Sequence, residues 1–137
     1  MSKLILDTNV LIYAMDAQSR YHPSAIAILT DPTFELAVST KVVSEFFAVC
    51  SKLKVPNADA WKFYQEVKKN IGMLFPDAAS LGHFEQLIKK YQPRGNRVFD
   101  LEIVSVAVAN GVPEIVTANL NDFQGITEIK VLPLIMK

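Results

Sequence analysis

The chain has 137 residues, half of them hydrophobic and a fifth charged, with 14 Lys plus Arg against 14 Asp plus Glu. That length buries a core without staples and predicts one domain over residues 1–137, while the balanced charge excludes a general basic field, so any nucleic-acid partner has to be gripped locally. The single cysteine, Cys50, fits a reducing compartment, and the absence of a signal-peptide pattern or of an apolar run of bilayer length predicts a soluble cytoplasmic protein with no membrane contact.

Leu4-Ile5-Leu6 is an apolar run without alternation, as expected of a strand buried on both faces of a parallel sheet. It stops at Asp7-Thr8-Asn9, and Val10, Leu11, Ile12, Ala14 and Met15 then recur at helical spacing. "HPSAIAIL" reads as a second short helix with proline in its first turn, and "FELAV" as a strand. A helix follows a Ser39/Thr40 cap, with Val42, Phe46, Val49, Cys50 and Leu53 on one stripe. After Pro56 come an amphipathic helix (57–70), a short strand "MLFP", a further helix (77–91), and the loop "QPRGN". "VFDLEIVSVAVAN" is helix stopped by Gly111 and Pro113, "EIVTA" a strand, and "IKVLPL" a last strand. Alternating strands and helices imply an α/β domain with a central, mostly parallel sheet covered by helices on both faces.

In a parallel sheet every strand ends at one edge, where the returning helix begins. Asp7 ends the first strand, at the place where open α/β sheets hold ligands. Glu45 lies in the second turn of its helix, bordering the apolar stripe. Asp100 opens the helix that feeds "EIVTA", and Asn119 and Asp122 follow that strand. Four acids distant in sequence thus converge on one rim. Each also has a plain alternative: Asp7 and Asp100 as helix caps, Asp122 as a turn former after Asn121. As a group they point to a cation, and oxygen donors with two histidines and one cysteine favour Mg²⁺ or Mn²⁺ over Zn²⁺. Lys89, Lys90, Arg94 and Arg97 precede Asp100 and are candidates for substrate phosphates, with Tyr91 available for stacking; a solvated basic loop is the alternative.

The blocks "LILDTNVLI", "VSTKVVSEF", "RVFDLEIVSVAVANG" and "EIVTANLNDFQGI", in this order over nearly the whole chain, resemble PIN-domain ribonucleases, most closely the toxin subunit of VapBC-type toxin–antitoxin modules. The resemblance implies the PIN-like three-layer fold, metal-dependent RNA cleavage by activated water, and Asp7, Glu45, Asp100 and Asp122 as the acids that hold the metal. It also implies that Thr117, Asn119, Thr8 and Ser39 hydrogen-bond those acids or the attacking water. A homodimer built with help from the helix around 57–70, and inhibition by a small antitoxin protein, are implied as well. Asn119 stands where many PIN domains carry another aspartate, which keeps open a non-catalytic PIN-like module that binds RNA or protein. A haloacid-dehalogenase phosphotransferase would need an aspartate at Asn9. His22 and His83 lack partner patterns; Cys50 reads as core, and Trp61, Phe63, Tyr64 and Val67 as core or dimer face.

Overall fold

Residues 1–137 are all described by a computed structural model. The opening apolar run forms β1 (Ser2–Leu6), in which Leu4, Ile5 and Leu6 are almost wholly buried. Burial of each such side chain is worth about 1.5–3 kcal/mol. β1 is flanked on both sides in a five-stranded sheet of order β3-β2-β1-β4-β5. The neighbours are β2 (Phe34–Ser39), β3 (Gly72–Leu74), β4 (Glu114–Thr117) and β5 (Lys130–Pro133). All four pairings are parallel, so the sheet is wholly parallel rather than mostly so. β3 stops before Phe75-Pro76, because proline has no N–H to offer the ladder.

The chain runs from β1 outward to β2 and β3, then crosses back to β4 on the other side of β1. Right-handed crossovers therefore put α1 (Thr8–Met15), α2 (His22–Thr30), α3 (Thr40–Lys52) and α4 (Asn57–Lys68) on one face. α5 (Ala78–Tyr91) and α6 (Arg97–Ala109) pack on each other across the opposite face. The reversal of direction on either side of β1 makes its C-terminal end the switch point of the fold, and Asp7 occupies it. β1 and β4 are tied there by the Asp7 amide, which donates to the Val116 carbonyl at 3.0 Å.

Local sequence explains where the elements stop. α6 ends in a Schellman motif: Gly111, at φ +68°, donates to the Val108 carbonyl, and buried Val112 donates to that of Ala107. That left-handed turn aims the chain back into β4. α5 begins with a reciprocal cap between Asp77 and Ser80. Phe46 is fully buried and stacks on Phe63, while Phe47 meets Trp61 and Tyr64, so the aromatic cluster joins α3 to α4. Trp61 nevertheless leaves 56% of its surface exposed. Cys50 is core. His22 is held by the Tyr13 carbonyl at 2.9 Å, and His83 lies away from the acids beside Leu87 and Lys90.

Candidate active site

Asp7 is both helix cap and site acid. One carboxylate oxygen accepts the Thr8 amide at 2.8 Å. The other accepts the Thr117 hydroxyl at 2.8 Å and the Asn9 side-chain amide at 3.2 Å. A carboxylate has about four acceptor positions, so three bonds leave room for one more partner on the open side. Burial raises the Asp7 pKa, helped by the charges of Glu45 and Asp122; the bonds from Thr117 and Thr8 oppose the shift.

Thr117, at the end of β4, has no exposed surface. Its hydroxyl donates to Asp7 and accepts from Asn9 Nδ2 and from the Asn119 amide, both at 3.0 Å. One donor and two acceptors exhaust a hydroxyl's capacity. Asn9 completes the lattice, since its Oδ1 takes the Ala118 amide at 3.0 Å. This residue carries no role in the sequence reading. The available signal is a polar side chain in the first turn of a helix that is otherwise apolar, two residues after Asp7.

Glu45 projects from the second turn of α3, where it accepts the Thr8 hydroxyl at 3.1 Å and pairs with Lys41 at 3.6 Å. Asp100 lies in the first turn of α6, and its pKa is pushed up to about 7. Burial is the main cause, followed by the negative charges of Asp122, Asp7 and Glu45; only the Arg97 guanidinium acts in the opposite sense. Asp122 is carried by a single 3-10 turn, Leu120–Phe123, which buried Phe123 plugs into the core.

These four acids line one cleft of about 790 Å³. Thr8 and Thr117 hydrogen-bond the acids as the resemblance implies. Ser39 caps α3 by accepting the Val42 amide at 3.3 Å and lines a different hollow, with Pro76 and Glu102. Asn119 lines the cleft, and it is its backbone amide that joins the network, through Thr117. Of the four basic candidates, Arg94 and Arg97 line the cleft and Lys89 and Lys90 do not. The reason is local: the chain turns through Gln92, at φ +46°, so the end of α5 faces the segment before β5 instead. There Lys90 pairs with Glu128 at 2.8 Å, and the Tyr91 hydroxyl also donates to Glu128, so Tyr91 is committed to that contact. Arg97 donates from Nη2 to the Gln124 carbonyl at 2.7 Å, while its buried Nε has no protein partner. Lys52 on α3 also lines the cleft, and Lys41 on the same helix is a cleft cation absent from the expected set.

The donors are hard oxygens, the kind that suits Mg²⁺, Mn²⁺ or Ca²⁺. No three acids stand close enough to make a closed cage. Burial and, after it, repulsion from the other acids leave Asp100 near pKa 7, and the repulsion is what a cation here would relieve.

No curated protein matches the chain by sequence. Among solved structures, VapBC2 from Rickettsia felis bound to a promoter DNA fragment has 21% identity and a TM-score of 0.77 over 96% of this chain and 98% of that one. DNA-bound VapBC from Salmonella typhimurium has 22% identity and a TM-score of 0.73 over 98% and 100%. VapC20 from Mycobacterium tuberculosis, a toxin that cleaves the sarcin-ricin loop, has 14% identity and a TM-score of 0.64 over 82% and 86%. At such identities the likeness is one of fold. The sequence pattern of the PIN domain matches residues 4–128, a span that holds all four acids, and the chain belongs to the PIN-domain family.

Proposed function

We propose that the chain is a metal-dependent endoribonuclease and the toxin of a toxin–antitoxin pair. The observation that supports this reading most is the convergence of Asp7, Glu45, Asp100 and Asp122 on one cleft, where burial and the other three acids push the Asp100 pKa up to about 7. The four acids are the candidate holders of Mg²⁺ or Mn²⁺, which when bound supplies Lewis acidity and lowers the pKa of water. Asp7 keeps its orientation through Thr8, Asn9 and Thr117, and Glu45 through Thr8. Water attacks phosphorus, an ester P–O bond breaks, and the leaving oxygen takes up a proton. The acids orient the water and accept its proton, and none needs to become covalently attached.

The partner proposal rests on the solved structures of similar fold, several of which are toxin–antitoxin complexes. Leu53, at the end of α3, and Trp61, on α4, are exposed and offer apolar surface for a homodimer or for the antitoxin. The decisive test is cleavage of synthetic single-stranded RNA by the purified chain in Mn²⁺, with Asp100→Asn as control. Cleavage lost on chelation and in the variant is the expected result; full activity in excess chelator overturns the metal role. Binding of RNA without cleavage favours the non-catalytic module, which the exposed amide at Asn119 suits. Solitary expression should be toxic to a bacterial host and rescued by the product of an adjacent small gene.

A further inference from the structure

α3 turns one side to the core and another to the cleft. Val42, Phe46 and Cys50 are buried, while Lys41, Glu45, Ala48 and Lys52 line the cleft. These four follow the spacing i, i+4, i+7, i+11, so they form one straight stripe along the helix. Two lysines stand at its ends, roughly 16 Å apart at 1.5 Å per residue. Glu45 lies nearer the first, and the smallest side chain of the stripe, Ala48, leaves the middle open.

Lys41 is held without being used up. Its ammonium lies 4.0 Å from the centroid of the Phe99 ring on α6, which leaves 43% of its own surface exposed. The ammonium is 3.6 Å from the Glu45 carboxylate, beyond hydrogen-bond length. An aromatic face orients a cation through its quadrupole and takes none of its N–H donors, so all three remain free for an incoming oxygen. The chain has no general positive field, and an anionic strand that reaches four acids needs cations fixed beside its path.

We propose that the α3 stripe is a track for single-stranded RNA, on which Lys41 binds the phosphate at the acid rim and Lys52 a phosphate farther along, with Ala48 as the gap between them. Phe99 is the positioning residue for Lys41. The assignment rests on the ribonuclease reading for its orientation, but RNA binding can be measured apart from cleavage. In an Asp100→Asn background, which protects the RNA, anisotropy of a labelled strand about ten nucleotides long should show weaker binding for Lys41→Met and for Lys52→Met. Each variant should flatten the salt dependence by about 0.7 in log–log slope. Lys41→Arg should restore the slope, and Phe99→Leu should weaken binding less than Lys41→Met does. In the active chain, Lys52→Met should raise KM for long RNA and leave a dinucleotide unaffected, a length dependence that loss of structure would not produce. Unchanged affinity and slope in both lysine variants overturns the track. If the lysines govern binding and no chain cleaves RNA, the track stands and the ribonuclease reading falls.

Discussion

Asp7 and Asp100 face the same cleft from different elements, and the protein treats them differently. Asp7, only 6% exposed, is fixed by three neutral donors from three residues, one of them on another strand. Asp100 is half-buried, and against its three acidic neighbours the sole opposing influence is one arginine. Neutral hydrogen-bond donors hold geometry without cancelling charge. Asp7 is therefore fixed in place by its own surroundings, and under the proposed function Asp100 is the acid that a cation would settle.

The largest expected effect separates the two acids most sharply. Asp100→Asn should reduce cleavage by more than the roughly 10–100-fold typical of losing a ligand's supporting partner. In chelator it should raise the melting temperature, since repulsion is relieved. Asp7→Asn should abolish cleavage too but without that gain, because an amide cannot accept from all three donors. Equal stabilisation by both variants in calorimetry would erase the contrast.

Next in size is Thr117→Val. It strips a buried donor from Asp7 and leaves Asn9 and the Asn119 amide short of an acceptor. Stability should fall by about 1–3 kcal/mol in urea unfolding. Cleavage should drop roughly 10–100-fold, mostly through weaker metal affinity by titration calorimetry.

A smaller effect follows from protonation. The unfolded chain releases the Asp100 proton near the ordinary carboxylate value of 3.8, whereas the folded chain holds it to about 7. Between those values the folded state binds more protons, so its stability falls as pH rises. The contribution is complete below the lower value and lost on passing the upper; Asp7 acts in the same direction. In chelator the urea midpoint should decline from pH 5 to pH 8, and Asp100→Asn should flatten that decline. A midpoint that rises over this range would mean that Asp100 is ionised as an ordinary carboxylate.

The smallest effect tests the basic loop. Arg94→Ala with Arg97→Ala should weaken RNA binding and lower the salt slope by about 1.4, two phosphates at about 0.7 each. Lys89→Ala with Lys90→Ala should leave both unchanged.

Strand and helix order was legible because the apolar runs are long and their stops are chemically explicit: Asp7, Pro56, Gly111 and Pro113 each sit at a boundary. The convergence of the acids was legible too, since a parallel sheet places strand ends together whatever its strand order. Asn9 offers only a weak local signal, a polar residue beside Asp7, because two of its bonds reach sequence-distant Thr117 and Ala118. Lys89 and Lys90 lie outside the cleft for a similar reason. Proximity in sequence to Asp100 said nothing of the turn at Gln92 or of Glu128 waiting beyond it. Lys41 had the right helical spacing to Glu45, but its placement over Phe99 depends on how α3 and α6 meet.

The loop between α5 and α6 is fastened at both ends to a single stretch of chain: Lys90 and Tyr91 to Glu128 on one side, Arg97 to the Gln124 carbonyl on the other. Gln124 lies two residues from Asp122. The bond from Arg97 therefore joins the start of α6 to the segment that follows the Asp122 turn, so loop and turn are braced against each other.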